Sequence, residues 1–328
     1  MTPRLSVIVP CHRAEAYVTE CLDTILAGGG DEVEVVAVDD GSPDGTGALL
    51  DAYADERLRV IHLQANGGPG NARNVGIDEA RGEYLWFVDA DDRLPAGAVD
   101  AVLERLRRHE PDVLIVDHAE VFGTTVVARR TADRLGPLPG PLRLADEPRL
   151  LRLAPSACTK VVRRAVLDRT GLRFPPGRYE DAYFSPALLL AAGDIDVLHR
   201  VCYLYRQGTP GSTTTSSADW HFDVFDQYQR LFELDDHGLR PELYRVMVDH
   251  YVVVLGHRGR VPKGRRREFF RRVVRDVNRF RPAEGYPVPG GADGLKHRLV
   301  RLGAYPPYAA LRWAYRMLPR SAPDRRGR

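Results

Sequence analysis

Short apolar segments alternate with longer amphipathic segments over the first 118 residues of the chain. The apolar segments are rich in β-branched residues, which is typical of strands that are buried on both faces. The segments between them have helical spacing, and three of them place a proline in the first turn. The pattern predicts strands at residues 5–9, 33–38, 59–63, 84–88 and 113–116 and helices at 15–26, 43–54, 69–80 and 95–108.

Repeated strand–helix units predict an α/β fold with a mostly parallel sheet and helices on both faces. In such sheets, ligands bind beyond the carboxyl ends of the strands. Residues 121–141 break the pattern with Gly, Pro, Arg and Thr and predict a hairpin or a mobile loop. Short helices and strands return at 150–206, and further helices are predicted at 222–234 and 241–255.

The composition is that of a folded chain, because the 328 residues are 44% hydrophobic and 28% charged. No run of about 18 apolar residues occurs, and the first apolar segment is too short and too early for a signal peptide. The four cysteines match no metal-binding or redox spacing, as expected in a reducing compartment. The sequence therefore predicts a cytoplasmic protein.

The net charge of +2 conceals a strong polarity along the chain. From residue 256 onward there are 20 Lys and Arg residues against 5 Asp and Glu residues, whereas the first 255 residues carry 27 bases and 40 acids. This distribution predicts an acidic body with a basic C-terminal region that could meet anionic lipid or polymer. No nucleic-acid recognition motif accompanies the charge, so nucleic acid is not an expected partner.

Three of the predicted strands run directly into polar residues at their carboxyl ends. Because these ends meet at one edge of a parallel sheet, we expect the polar residues to lie together. For Asp39 and Asp40, capping of the following helix is an equal alternative. The segments are Pro10-Cys11-His12-Arg13-Ala14-Glu15, Asp39-Asp40-Gly41-Ser42 and Asp89-Ala90-Asp91-Asp92.

The last of these segments predicts a metal site. Asp89, Asp91 and Asp92 repel one another and raise one another's pKa unless a cation is bound. Clusters of carboxylate oxygens suit Mg²⁺ or Mn²⁺. An ion held by few carboxylates completes its coordination with water and substrate phosphates, so a phosphate-bearing substrate is expected.

A glycine-rich segment, residues 66–74, follows the third predicted strand and opens a helix. Its backbone amides and Arg73 predict an anion site, with an ordinary glycine turn as the alternative. The segment lacks the Gly-Lys-Ser/Thr ending of a Walker loop, and no glycine occurs in the first strand–helix turn. The sequence therefore does not favour a nucleoside triphosphatase, which would need the Walker loop, or a dehydrogenase, which would need the glycine-rich first turn.

Four segments in this order resemble the family 2 glycosyltransferases of GT-A fold. The resemblance covers about two thirds of the chain and implies a nucleotide-diphosphate sugar donor, most often a UDP-sugar, bound with Mn²⁺ or Mg²⁺. The segments are Ser6-Val7-Ile8-Val9-Pro10, Val38-Asp39-Asp40-Gly41-Ser42, Ala72-Arg73-Asn74-Val75-Gly76 and Phe87-Val88-Asp89-Ala90-Asp91-Asp92.

The resemblance also implies roles for individual residues. Asp91 and Asp92 would hold the metal, and His12 stands where an aromatic residue is frequent, so the imidazole would stack on the base. Asp89 would face the ribose. The residues implied in nucleotide binding are Pro10, His12, Glu15, Asp39, Asp40, Gly67, Gly68, Arg73, Asp89 and Ala90.

Further implied site residues lie downstream. Asp181, beside Glu180, matches the aspartate that acts as base in the family, although acidic residues at a helix start also serve as caps and dipole partners. Lys160 is either an acceptor or phosphate contact or an ordinary surface lysine. Arg206 and Ser212 lie where the family has a flexible segment over the donor, with a simple loop as the alternative.

The basic C-terminal region contains a predicted amphipathic helix. Phe269, Val273, Val277 and Phe280 share one face opposite several arginines, which suits either docking at a membrane surface or packing on the protein. Residues 305–318 could form a second interfacial segment, and 321–328 are predicted to be disordered.

The combined prediction is a metal-dependent, inverting glycosyltransferase with a GT-A domain at 1–215 and a helical, basic region at 216–328. Residues 1–118 form the nucleotide-binding half and 119–215 the acceptor half. The acceptor would be a polymer or lipid-linked precursor at the cell surface. The Gly-Gly-Pro-Gly and Phe-Pro elements look most like enzymes that glycosylate wall teichoic acid, or modules of polyol-phosphate polymerases. We expect a cytoplasmic location, with peripheral contact at the inner face of the plasma membrane.

Two other functions remain open from the sequence. The chain could be a non-catalytic nucleotide-sugar-binding or scaffolding module in which the basic region does the work. It could also be a nucleotidyltransferase, which shares a similar sheet and acidic metal ligands. The absence of a glycine-rich signature with Arg and Lys after the first strand counts against the latter.

Overall fold

The computed structural model describes residues 2–138, 140–208, 217–257 and 259–317. The chain divides into two compact units, Met1–Pro210 and Gly211–Arg328. The predicted domain boundary at residue 215, Ser212 and the segment 321–328 all lie outside the described residues.

The first unit is built on one mixed sheet. Its order is β3-β2-β1-β4-β7-β5-β6, and β8 pairs with β5 off this path. The strands among the described residues are β1 (Leu5–Cys11), β2 (Val33–Asp39), β3 (Leu58–His62), β4 (Tyr84–Phe87), β5 (Val113–Phe122), β6 (Thr125–Arg129), β7 (Lys160–Arg163) and β8 (Ile195–Arg206).

Strands β1 to β4 pair in parallel, as do β5 and β8. Strand β7 lies antiparallel between β4 and β5, and β6 forms an antiparallel hairpin with β5. Strands β1, β2 and β4 are almost wholly buried apolar runs. Their carboxyl ends lie close in register, with Cys11 opposite Asp39 and Ile8 opposite Phe87. The segments after these strands therefore begin at one edge.

Seven helices of the described chain accompany this sheet. They are α1 (Val18–Leu26), α2 (Thr46–Asp51), α3 (Pro69–Glu79), α4 (Ala98–His109), α5 (Thr131–Leu135), α6 (Arg164–Thr170) and α7 (Glu180–Ala191). Helix α3 packs closely on β1 and β2. A Cβ atom at Gly76 would lie 2.3 Å from Cγ2 of Ile8, so only glycine permits this approach.

The α/β class and the five strands and four helices predicted for residues 1–118 are confirmed, with differences at their ends. Helix α1 begins at Val18 because residues 15–17 belong to the loop after β1. Strand β5 continues to Phe122, well beyond the predicted end at 116, because it forms the hairpin with β6. The hairpin alternative for 121–141 is thus the one observed.

The second unit is helical. Buried aromatic rings form much of its core, including Phe225, which lies 4.8 Å from Tyr251 and 4.7 Å from Phe269 between ring centroids. Its helices are α8 (Asp223–Leu231), α9 (Arg240–Gly256), α10 (Arg266–Arg279), α11 (Gly291–Arg301) and α12 (Tyr305–Met317).

The amphipathic helix α10 packs its apolar face inside the second unit. Phe269, Val273, Val277 and Phe280 are all buried. Docking of this face at a membrane is therefore wrong, because protein side chains already cover it, and the packing alternative is the one observed. Arginines of the opposite face, such as Arg267 and Arg271, are exposed.

Among the described residues, no helix has both the length and the apolar character needed to cross a membrane. All four cysteines are free and buried.

Candidate active site

The loops after β1 and β2 are joined at the sheet edge. The Asp40 amide donates to the carbonyl of Cys11 at 2.8 Å, and Nδ1 of His12 hydrogen bonds to the Asp40 carbonyl at 3.0 Å. The side chain of His12 is exposed, Glu15 accepts the amide proton of Gly45 at 3.1 Å, and Pro10 is half-buried. These contacts bring the loops after β1 and β2 together at one edge of the sheet, and nucleotide binding there stays a prediction.

The two aspartates that end β2 do not cap a helix. Helix α2 begins only at Thr46, with Gly45 as its N-cap and no side-chain cap. Asp39 instead accepts the Ser42 amide and hydrogen bonds to Nδ1 of His62, both at 3.0 Å. Burial opposes ionisation of Asp39, but these hydrogen bonds outweigh it and lower its pKa. Asp39 is therefore a held carboxylate at the edge of the sheet.

Asp40 organises the glycine-rich loop. Its buried carboxylate accepts the amide protons of Gly67 and Gly68, each at 2.8 Å. Gly68 has a φ of +88° at the start of α3, a conformation that favours glycine. The prediction that these two amides bind an external anion is wrong, because an internal carboxylate already occupies them.

Arg73 is an internal cation. Its side chain is 4% exposed, and its guanidinium donates to Glu180 at 2.8 Å and to Asp89 at 2.7 Å. Oδ1 of Asp181 lies 3.6 Å away. The predicted contact of Arg73 with the base or pyrophosphate is corrected, because carboxylates of the protein engage its terminal nitrogens.

The Glu180–Asp181 pair begins helix α7. Tyr179 precedes it with a φ of +61°, a strained conformation for a residue with a side chain, and provides no side-chain cap. Glu180 is buried against Arg73, and Oδ2 of Asp181 accepts the Ala157 amide proton at 3.2 Å. The contacts of these carboxylates reach other segments, so the capping alternative does not describe them.

The two oxygens of Asp181 differ in their surroundings. Within the described residues, Oδ1 is buried and has no hydrogen-bond partner. Burial, together with the nearby carboxylates of Glu180 and Asp89, raises the pKa of Asp181 to about 7, although Arg73 acts in the opposite direction. A carboxyl group with this pKa can exchange protons near neutral pH.

The acidic turn after β4 is divided between two environments. Asp92 is buried, accepts the Arg206 amide proton at 2.6 Å and accepts a hydrogen bond from the Tyr203 hydroxyl. Burial, together with Asp89 and Asp91, raises the pKa of Asp92 to about 9. Asp89 and Asp91 are only half-buried, whereas Ala90 between them is buried.

This division changes the predicted metal site. Among the described residues, no group of three or more acidic, histidine or cysteine side chains is arranged to hold a metal ion. Asp92 does not extend the cluster outward, because its carboxyl group holds the end of β8. The carboxylates nearest to solvent are those of Asp89 and Asp91.

Arg206 ends β8 and packs across the same turn. Its Nε donates to the carbonyl of Asp91 at 2.8 Å, and its Nη2 donates to Glu20 at 2.5 Å. Its guanidinium lies 5.0 Å from the centroid of the Tyr17 ring. Arg206 therefore lies beside the acidic turn, whereas Ser212, predicted with it, is outside the described residues.

Lys160 is neither a surface lysine nor placed to contact an acceptor. It is 2% exposed and begins β7. Its Nζ donates to the carbonyls of Ala154 and Ser156 at 3.0 and 2.9 Å and to the Thr159 hydroxyl at 3.2 Å. Both alternatives from the sequence are corrected by this burial.

Four residues of this region escaped the sequence analysis: Tyr17, Glu20, His62 and Tyr203. No local sequence pattern marks Tyr17, Glu20 or Tyr203, because only the folded chain brings them to the acidic turn. His62 had a signal, since it ends β3 directly opposite Asp39 in the parallel register. A polar residue at the carboxyl end of any parallel strand is therefore expected to lie near the site.

Three kinds of carboxyl group lie at one end of the sheet. They are a held carboxylate at Asp39, partly exposed carboxylates at Asp89 and Asp91, and a carboxyl group with near-neutral pKa at Asp181. Arg73 contacts two of these residues and balances their charge. Such a set suits a phosphate-bearing ligand bound with a hard cation, next to a proton acceptor.

Much of the chain is similar in sequence to known proteins. Residues 6–171 match the profile of Glycosyl transferase family 2. The poly(ribitol-phosphate) β-N-acetylglucosaminyltransferase TarS of Staphylococcus aureus is 32% identical over 233 residues, which are 67% of this chain and 39% of TarS. The uncharacterized glycosyltransferase EpsJ of Bacillus subtilis is 32% identical over 221 residues, 65% of this chain and 64% of EpsJ. The chain thus spans less than two thirds of either relative.

Solved structures agree in fold. The crystal structure of residues 1–349 of S. aureus TarS with UDP-GlcNAc gives a TM-score of 0.73 at 24% identity, over 95% of this chain and 91% of that one. A second structure of the same TarS segment, with UDP, gives a TM-score of 0.72. The predicted GT-A fold is confirmed by this likeness.

Proposed function

The chain belongs to glycosyltransferase family 2, and we propose that it transfers a sugar from a UDP-sugar to a hydroxyl of a cell-surface polymer or its precursor. The observation that carries the proposal is the position of Asp181. Its Oδ1 is buried 3.6 Å from the Arg73 guanidinium. Its Oδ2 accepts the Ala157 amide proton and, because the side chain is 26% exposed, is the oxygen that an acceptor hydroxyl would reach.

The proposed donor is a UDP-sugar, with UDP-N-acetylglucosamine as the first candidate. The structural neighbour TarS was solved with UDP-GlcNAc and with UDP. In this chain, His12 directly follows β1 and Asp39 ends β2. His12 offers a ring for stacking, and Asp39 offers a carboxylate that could bind the base. We assign Asp89 to the ribose and Pro10 and Glu15 to the rim of the pocket.

The acidic turn fits a hard divalent cation, Mn²⁺ or Mg²⁺. Its oxygen donors are carboxylates, and Asp91 and Asp89 are the two that remain partly exposed. One or two protein carboxylates suffice where a diphosphate provides further ligands. We therefore propose Asp91 as the protein ligand, keep Asp89 for the ribose and exclude Asp92 from direct coordination. When bound, the ion would stabilise negative charge on the departing diphosphate.

Asp181 is the proposed base for the transfer. Its carboxylate would accept the proton of the acceptor hydroxyl while the hydroxyl oxygen attacks the anomeric carbon. Direct displacement inverts the anomeric configuration. Arg73 pairs with Glu180 and Asp89, and so compensates the charges of these neighbours beside Asp181.

The proposed acceptor is anionic. TarS is named for a poly(ribitol-phosphate) acceptor, and the basic segment from residue 256 onward would attract a polymer of that charge. Contact with an anionic membrane surface would use the exposed arginines of α10, since the apolar face of that helix is buried. The cytoplasmic location and this peripheral contact belong to the proposal.

Calorimetry with UDP, CDP, GDP and TDP tests the donor class. Each nucleotide is titrated into the protein with Mn²⁺ or Mg²⁺ and again with EDTA. The proposal predicts that UDP binds in the presence of metal, and that the other nucleotides bind at least about tenfold more weakly, a difference near 1.4 kcal/mol. Equal binding of all four, or binding of none, contradicts it.

Two alternative functions make different predictions. A non-catalytic binding module would bind UDP-sugars but release no UDP in the presence of acceptors. A nucleotidyltransferase would release pyrophosphate from UTP and a sugar 1-phosphate. Assays of both products on the same preparation separate the three functions.

A further inference from the structure

The loop that leads to Ala157 is held by side chains rather than by backbone pairing. Its three consecutive carbonyls, at residues 154, 155 and 156, all accept side-chain hydrogen bonds. Lys160 Nζ donates to the first and third at 3.0 and 2.9 Å, and the Ser185 hydroxyl donates to the Pro155 carbonyl at 2.5 Å. The Thr159 hydroxyl also donates to the Ser156 carbonyl, at 3.0 Å, so the conformation of this loop depends on three side chains.

The same loop is tied to the helix that carries Asp181. Ser185 and Asp181 lie four residues apart on α7, so they project from the same side of the helix. Ser185 holds the Pro155 carbonyl, and Asp181 accepts the Ala157 amide proton at 3.2 Å. Two hydrogen bonds thus join the loop to α7, and Lys160 holds it from the sheet.

Lys160 is a rigid anchor for the loop. Its backbone lies at the start of β7, where it pairs with Ile115 of β5. Burial lowers the pKa of Lys160 to about 8, so the ammonium form still prevails at neutral pH. A buried ammonium is costly unless its protons are bonded, and three oxygen atoms accept them here.

We propose that Lys160 is a positioning residue for Asp181. Its ammonium group fixes residues 154–157 so that the Ala157 amide orients Oδ2 of Asp181, the oxygen that would meet the acceptor hydroxyl. The inference rests on the proposed role of Asp181 as base, and it adds a residue that contacts neither donor nor acceptor.

Four charged groups act on Asp181, each from a different segment. Arg73 of α3 and Lys160 of β7 are cations that favour its ionised form. Glu180 of α7 and Asp89 of the turn after β4 are carboxylates that oppose it. Removing the Lys160 ammonium deletes one of the two cations and loosens the Ala157 hydrogen bond. Both effects raise the pKa of Asp181.

The experiment compares Lys160→Met with Arg108→Met, which replaces an exposed cation of helix α4 in the first unit. The pKa of Asp181 is read from its ¹³Cγ resonance during a pH titration, with Asp181→Asn to assign the signal. Lys160→Met should raise this pKa by about one pH unit. It should lower kcat about tenfold or more near neutral pH, with UDP affinity within about twofold of wild type. Arg108→Met should change none of these values.

Ser185→Ala is a second variant, which removes one loop contact and leaves the lysine charge in place. It should lower kcat with a smaller rise in the pKa of Asp181 than Lys160→Met gives. If Lys160→Met does not fold, Ser185→Ala and Thr159→Val test the proposal in its place. A wild-type kcat together with an unchanged pKa of Asp181 in both variants overturns the proposal.

The carboxyl titration separates this inference from the proposed function. If wild-type protein shows no turnover with any UDP-sugar, the proposed function fails, yet the titration still reports on Lys160. An Asp181 pKa that is the same in folded Lys160→Met and in wild type overturns the positioning role. A pKa increase with a parallel loss of kcat supports it.

Discussion

Arg73 Nη1 donates to Glu180 Oε1 at 2.8 Å, across 107 residues of sequence. The same guanidinium donates to Asp89 at 2.7 Å. One buried cation therefore joins α3, the turn after β4 and the start of α7. These three segments carry the proposed ribose contact and the proposed base, so this ion pair network sets their relative positions.

Replacing Arg73 should destabilise the protein strongly. Arg73→Met leaves the carboxylates of Glu180 and Asp89 without their cation, and breaking a buried pair costs about 3–5 kcal/mol. Urea denaturation measures the loss. The control is Arg173→Met, because Arg173 pairs with Asp78 at the surface and such pairs contribute about 0–1 kcal/mol. Equal stability changes in the two variants would refute a special role for Arg73.

Asp181→Asn should abolish transfer and preserve nucleotide binding. Loss of a general base lowers kcat by about 10²–10⁴-fold, whereas the UDP pocket is untouched. Since the pKa of Asp181 is raised to about 7, wild-type activity should fall as the pH drops below that value. Initial-rate assays and UDP titrations measure both quantities. The control Asp168→Asn, at an exposed position, should behave as wild type. Turnover by Asp181→Asn at the wild-type rate would exclude Asp181 as the base.

Asp91 and Asp92 should respond differently to the same substitution. Asp91→Asn should remove the metal dependence of UDP binding, because Asp91 is the proposed ligand. Asp92→Asn should retain it, since the pKa of Asp92 is raised to about 9 and a neutral amide resembles its protonated carboxyl group. Calorimetric titration of UDP with Mn²⁺ and with EDTA distinguishes the two. Loss of metal dependence in both variants would restore Asp92 as a ligand.

His62 should contribute to stability in a pH-dependent way. Hydrogen bonds that His62 donates to the carboxylates of Asp39 and Asp51 raise the pKa of His62, so its stabilising effect is complete below the pKa of an unfolded histidine. The effect is lost as the pH rises through the raised value. His62→Gln should therefore destabilise more at pH about 5.5 than at pH about 8.5, by up to about 1 kcal/mol because His62 is partly exposed.

Urea denaturation at the two pH values measures the His62 effect. Asp51→Asn is the matched control, because it removes one of the two acceptors and keeps the imidazole. The destabilisation caused by His62→Gln should depend less on pH when the substitution is made in Asp51→Asn than when it is made in wild type. A destabilisation by His62→Gln that is the same at both pH values contradicts the assignment.

Local pattern predicted the elements of the first 118 residues well, because strand and helix periodicity depends on neighbours in sequence. It also located the polar strand ends, since parallel strands place these at one edge. It could not assign the partner of each charge. The segment with Gly67 and Gly68 was predicted to be an anion site or an ordinary turn, but its two amides bind Asp40. Lys160 was predicted to contact an acceptor or phosphate or to lie at the surface, but it lies inside. Partners of this kind depend on packing between distant segments.

The family resemblance and the structure contribute differently to the site. Asp181 was identified only because its position matches a family motif, since an acidic residue at a helix start has an ordinary capping role. The structure adds its near-neutral pKa, its Ala157 hydrogen bond and the oxygen that lacks a partner in the described residues. The burial of the apolar face of α10 could not be predicted, because amphipathic spacing is the same for a packed helix and a membrane-bound one.

The most direct test of the central claim is ¹H NMR of the reaction of UDP-N-acetylglucosamine with a short polyol-phosphate acceptor and Mn²⁺. The account predicts that UDP and glycosylated acceptor form in equal amounts, and that the α-linked donor yields a β-linked product. A product with retained α configuration, or no transfer from any UDP-sugar by protein that binds UDP, would contradict it.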